Sequence, residues 1–98
     1  MNKDYNFLED IYYIIEKRAK GKSATSYTKS LLKKGKKRIA QKVSEESTEL
    51  IIDYLSGTKK RTIEEASDLI YHLLVLLYDK KITLRDIKKE LNKRKNVR

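Results

Sequence analysis

Cysteine and proline are absent from these 98 residues, histidine occurs once and glycine three times. Without cysteine there is no disulfide framework, no thiolate metal site and no cysteine nucleophile. The single histidine, His72, excludes a multi-histidine zinc centre. Long apolar runs are missing too. The longest, Leu73 to Tyr78, is far too short to span a bilayer, so no membrane partner is expected. Asp4, Glu9 and Asp10 near the start are unlike the basic-then-apolar opening of a secretory signal. The chain reads as one small cytoplasmic domain over residues 1–98.

Positive charge is what the sequence has in excess. Its 24 Lys and Arg against 14 Asp and Glu give a net charge of +10, concentrated at Lys29–Lys42 and from Lys80 to Arg98. Such a surplus attracts polyanions: nucleic acid, acidic membrane or a polyphosphate substrate. Aromatic residues that stack on bases are scarce in the basic runs, which argues against a nucleic-acid partner. A solvated lysine-rich surface accounts for most of the charge.

The three glycines, Gly21, Gly35 and Gly57, each stand where a helical pattern ends, the place of a left-handed C-terminal residue. Apolar residues recur at helical spacing in segments of about Asp4 to Lys20, Ser26 to Lys34, Lys36 to Ser56 and Thr62 to Lys80. Ser26 is a candidate N-cap. Thr83-Leu84-Arg85-Asp86 resembles a capping box that opens a final helix with Ile87 and Leu91. No segment alternates with period two. The expected fold is all-α, four to five helices, with the third and fourth joined through Gly57-Thr58-Lys59-Lys60 as an antiparallel hairpin. The apolar stretch Leu69–Leu77 reads as core or subunit interface, and it exceeds what so few helices can cover. A helical-bundle homodimer is therefore expected.

Half of the acid lies in one stretch: Glu45, Glu46, Glu49, Asp53, Glu64, Glu65 and Asp68. Glu46 and Glu49 are three apart on a helix, as are Glu65 and Asp68, so each pair shares a face. Glu49 lies about seven residues before the turn and Glu65 about seven after it, which sets them at similar heights. Packed together, these faces bring four carboxylates to one point. Like charges so close are costly unless a divalent cation lies between them, and an all-carboxylate cage suits Mg²⁺ or Mn²⁺. The bland alternative is a solvated acidic face. Basic partners at good helical offsets are few: Lys42 precedes Glu46 by four and Arg61 precedes Glu65 by four, the weaker order.

Ser26-Tyr27-Thr28, Leu31-Leu32-Lys33-Lys34-Gly35, Lys42-Val43-Ser44-Glu45-Glu46-Ser47-Thr48-Glu49 and Glu65-Ala66-Ser67-Asp68-Leu69-Ile70-Tyr71-His72 together resemble the phosphoribosyl-ATP pyrophosphatase family. That family belongs to the all-α nucleotide pyrophosphohydrolases, marked by Glu-Glu-x-x-Glu followed by Glu-x-x-Asp. Ser44 and Ser47 stand where the family usually has Gly and Ala; both are small, so helix packing should survive. The resemblance implies hydrolysis of phosphoribosyl-ATP to phosphoribosyl-AMP and pyrophosphate in histidine biosynthesis, with Mg²⁺ neutralising the polyphosphate. It marks Glu46, Glu49, Glu65 and Asp68 as metal ligands and Glu45 as the group that orients or deprotonates water. Lys42 is a candidate phosphate contact, and Tyr27, Lys34 and Arg38, with the C-terminal helix, are candidates for the phosphoribosyl end. His72 either meets a ligand or is a satisfied histidine at a helix contact, and Tyr71 reads as packing.

Two rivals stand beside this reading. A house-cleaning nucleoside triphosphate pyrophosphatase of the same superfamily shares the four acids; the Ser26-Tyr27-Thr28 string and Tyr71-His72 favour phosphoribosyl-ATP. A basic nucleic-acid-binding module gives no reason for the acidic focus and has no base-reading helix.

Overall fold

The computed structural model describes residues 7–22 and 26–95. Five α-helices follow one another: α1 Phe7–Lys20, α2 Tyr27–Lys34, α3 Lys36–Ser56, α4 Lys59–Asp79 and α5 Leu84–Arg94. No strand occurs among the described residues, and no helix is long and apolar enough to cross a membrane. The all-α reading holds. α3 has the expected limits, and the expected start of α1 at Asp4 lies outside the described residues.

Capping chemistry sets several of the boundaries. The Ser26 hydroxyl accepts the Lys29 N–H at 3.2 Å and so starts α2. At Thr83 the capping box is complete: the Thr83 N–H donates to Asp86 at 2.9 Å, and the Asp86 N–H to the Thr83 hydroxyl at 3.2 Å. The α3–α4 junction is tighter than expected. Thr58 accepts the Arg61 N–H at 3.1 Å and starts α4 at Lys59, so the turn is Gly57-Thr58 alone. Thr62 adds a hydroxyl bond to the Asp53 carbonyl at 3.2 Å, tying the start of α4 to the end of α3.

The glycines differ from the single role expected of them. Gly35 alone has a positive φ, 97°, and this one residue separates α2 from α3. Gly57 is extended, with φ −97°; its reason is steric, because a Cβ there would meet the Asp53 Cα at 2.9 Å and carbonyl at 3.0 Å. The left-handed residue after α4 is Lys81, φ 63°. There the Ile82 N–H reaches the Leu77 carbonyl and the Lys81 N–H the Tyr78 carbonyl, a Schellman closure.

α3 and α4 form the antiparallel hairpin, α1 packs on α4, and α2 bridges α1, α3 and α4. Ile15, Leu31, Ile39, Leu74 and Val75 make the core, with Leu8, Ile11, Leu32, Ile70, Leu76 and Leu77 packed around it. Thus the Leu69–Leu77 stretch is mostly covered within the chain; Leu73 stays exposed. Open apolar surface lies instead toward the turn, at Ile51, Ile52, Leu55 and Ile63. At the far end, the Tyr12 hydroxyl donates to the Ile82 carbonyl at 2.9 Å and its ring meets Tyr78 edge-on.

Candidate active site

Three of the four expected ligands meet. Oxygens of Glu46 and Glu49 from α3 and Glu65 from α4 lie within 4.8 Å of one another. The similar heights read from the spacing about Gly57 put them there. Glu46 and Glu65 are buried, 7 % and 3 % exposed, while Glu49 is exposed. Asp68, one turn beyond Glu65, lies outside that group, yet its charge still acts on Glu65.

Each buried carboxylate is half satisfied. Lys42 holds Glu46 Oε1 at 3.0 Å, and Arg61 holds Glu65 Oε1 at 2.5 Å. In both residues the other oxygen, Oε2, is buried with no hydrogen-bond partner among the described residues. A buried carboxylate oxygen left bare is expensive, since it has given up water for nothing. Two such oxygens from facing helices, with Glu49 beside them, fit a hard divalent cation accepting all-oxygen ligation. The donor set contains no sulfur or imidazole, which suits Mg²⁺ or Mn²⁺ over softer metals.

The electrostatics carry the same signature. Burial raises the Glu65 pKa above the ordinary carboxyl value, the adjoining Glu49 carboxyl raises it further, and Arg61 opposes both. The Lys42 ammonium is held above its usual value chiefly by its bond to Glu46, with burial opposing and smaller contributions from Tyr27 and Glu45.

Other expected residues distribute around this cluster. Arg38 reaches Glu45 at 3.5 Å, a long contact that leaves the Glu45 carboxylate partly open. Lys34 is exposed in the last turn of α2. His72 is buried with both ring nitrogens used: Nδ1 bonds the Asp68 carbonyl at 2.7 Å and Nε2 the Tyr27 hydroxyl at 2.7 Å. In this conformation it has no free nitrogen for a ligand, which is the satisfied-histidine alternative. Tyr71, read as packing, also has a polar task, bonding buried Thr28 and receiving Arg18 Nη1 at 3.1 Å. Hence Ser26-Tyr27-Thr28 and Tyr71-His72, far apart in sequence, dock on each other.

Arg61 is not among the residues the sequence marks for the site; its signal is its place four before Glu65. Arg18 has no such signal, being 53 residues from the Tyr71 it meets. Ser44 and Ser47 leave α3 unbroken, and the Ser47 hydroxyl turns back onto the Val43 carbonyl at 2.8 Å.

A family model described as Phosphoribosyl-ATP pyrophosphohydrolase matches residues 8–95. A phosphoribosyl-ATP pyrophosphatase of Sulfolobus acidocaldarius is 49% identical over 89 residues, covering 91% of this chain and 94% of that protein. One from Clostridium novyi is 42% identical over 88 residues, or 90% of this chain and 80% of that protein. The histidine biosynthesis bifunctional protein HisIE of Bacteroides thetaiotaomicron is 43% identical over 88 residues, 90% of this chain but 43% of its own length.

Proposed function

Since the chain belongs to the phosphoribosyl-ATP pyrophosphohydrolase family, we infer that it hydrolyses phosphoribosyl-ATP to phosphoribosyl-AMP and pyrophosphate, an early step of histidine biosynthesis. The observation that carries the mechanism is the meeting of Glu46, Glu49 and Glu65, with two buried oxygens bare. These residues, with Asp68 completing the set, would hold Mg²⁺, with Mn²⁺ a substitute. A bound ion would neutralise phosphate charge and make water a better nucleophile.

The chain's own residues do the remaining work. The anhydride between the α and β phosphorus breaks, one new P–O bond forms from water, and pyrophosphate leaves. Glu45, next to Glu46 in α3 and only loosely held by Arg38, orients the attacking water and takes its proton. Lys42, one turn before the cage, faces the polyphosphate and stabilises charge that grows on the leaving group. Lys34 and Arg38 hold the phosphoribosyl end, where remote binding energy positions the reacting phosphates, and Tyr27 adds a substrate contact. His72 contributes through the bonds it makes inside the chain. The relatives' names favour this substrate over the house-cleaning reading.

The enzyme works in the cytoplasm as a homodimer. The support for a dimer is that, among the described residues, five apolar side chains are buried while Ile51, Ile52, Leu55 and Ile63 are exposed. Assay of purified protein on phosphoribosyl-ATP, ATP and dCTP tests the reading. Phosphoribosyl-ATP should be cleaved far faster than the others, with activity abolished by chelator and restored by Mg²⁺. Equal efficiency on dCTP would favour the house-cleaning enzyme. DNA binding without hydrolysis would favour the nucleic-acid module.

A further inference from the structure

Tyr27 is placed as if for use. It opens α2, the residue is 52 % exposed, it lies within electrostatic reach of Lys42, which itself holds Glu46, and through His72 it is linked to the Asp68 carbonyl. Its hydroxyl is engaged inward, on His72, and the two rings meet edge-on at 5.6 Å and 81°. The next residue, Thr28, is buried and bonded to Tyr71 on the same stretch of α4. Two side-chain bonds from consecutive residues therefore fix the first turn of α2 against α4, and with it the ring of Tyr27.

The direction of the Tyr27–His72 bond follows from chemistry. The Asp68 carbonyl can only accept, so His72 Nδ1 carries the proton and donates to it. In the neutral imidazole Nε2 is then bare and accepts from the Tyr27 hydroxyl. A half-exposed aromatic ring held by an internal hydrogen bond has little freedom left to lose on binding.

We propose that the exposed face of Tyr27 is the stacking platform for the purine of the substrate, and that His72 is a positioning residue that acts through Tyr27 without touching substrate. This rests on the hydrolase reading above. With the polyphosphate at the carboxylates, the nucleoside is the next part outward, and Tyr27 is an exposed aromatic surface linked through His72 to Asp68 and within electrostatic reach of Lys42. A flat ring face recognises a flat heteroaromatic base whatever its edge groups.

His72 is the only histidine, so its ring resonances are unambiguous in nitrogen-15 NMR. The ligand-free protein should show a protonated Nδ1 and a bare, hydrogen-bonded Nε2; the opposite tautomer overturns the proposal. Adding adenosine 5′-monophosphate should shift the Nε2 signal through Tyr27, whereas inorganic pyrophosphate should shift it far less; no response to the nucleotide overturns the platform. Tyr27→Ala should raise KM for phosphoribosyl-ATP about ten-fold, one stacking contact, with kcat nearly kept. Tyr27→Phe should raise KM less and remove the Nε2 hydrogen bond. A loss in kcat alone would place Tyr27 in the chemistry and overturn the base subsite. Should the protein leave phosphoribosyl-ATP intact while the tautomer and the nucleotide response both appear, the hydrolase reading fails and the platform stands.

Discussion

Glu65 is the most enclosed carboxylate of the site, and its surroundings act on its charge in opposite directions. Burial and Glu49 disfavour the ionised form, while Arg61 favours it at 2.5 Å. The bare Oε2 supports a ligand role, because a buried carboxylate oxygen is ordinarily bonded. Glu65→Gln keeps shape and removes charge. Metal-free protein should then lose little or no thermal stability, whereas turnover should fall roughly 10²–10³-fold, the scale for one preorganised electrostatic group. Glu49→Gln, at an exposed position, separates the roles more cleanly, because its fold cost should be negligible. Steady-state kinetics beside a melting curve would read both, and a near-normal rate in Glu49→Gln would remove it from the ligand set. Asp68→Asn asks the same of the carboxylate outside the 4.8 Å group.

At the scale of elements, two short junctions position the site. The Gly57-Thr58 turn fixes the register of α3 against α4 and so the meeting of Glu49 with Glu65. Gly57→Ala should destabilise by about 1–3 kcal/mol, the cost of overpacking against backbone that cannot retreat. A stabilised variant in chemical denaturation would show that the Asp53 contact relaxes and that chain entropy dominates. At α5 the capping box lowers the Asp86 pKa, first through the Thr83 N–H and then through its hydroxyl. The folded state thus binds that proton less tightly than the unfolded chain. Its contribution is present above the unfolded value of about 3.9 and is lost as pH falls through the lower folded value. Asp86→Ala should therefore melt below the parent at pH 7, and the gap should close in strong acid; a gap independent of pH would contradict the box. Much of this was legible in the sequence. Periodicity and caps gave α2 and α3 within a residue and the start of α5, and spacing about Gly57 gave the facing carboxylates. The start of α4 was not, because Lys59-Lys60-Arg61 has no apolar periodicity and only Thr58 as a cap marks it. Nor was the task of Lys81, since a left-handed lysine has no compositional sign, nor the docking of Tyr27 on His72, which joins residues 45 apart.

For the whole molecule, apolar surface is the unsettled account. The radius of gyration is 14.9 Å, above the roughly 13 Å of a compact chain of this length. Elongation of this kind follows from a two-helix hairpin of 21-residue helices, only part of which the other helices cover. The uncovered part carries Ile51, Ile52, Tyr54, Leu55 and Ile63, and Leu55 is 75 % exposed. Such a cluster on a monomer invites association, and a twofold pairing of hairpins is the simplest closed solution. Leu55→Glu distinguishes the cases sharply. In a monomer, exchanging a side chain so exposed is close to neutral, within about 0.5 kcal/mol. In a dimer it buries an unpaired charge in the interface, so association weakens and melting drops. The parent's melting temperature should also climb with protein concentration, since dimerisation stabilises the fold by mass action. Sedimentation at micromolar concentration should show a dimer for the parent and a monomer for Leu55→Glu. A monomeric parent with a concentration-independent melting point would leave the hairpin face as bare surface and remove the dimer from the mechanism.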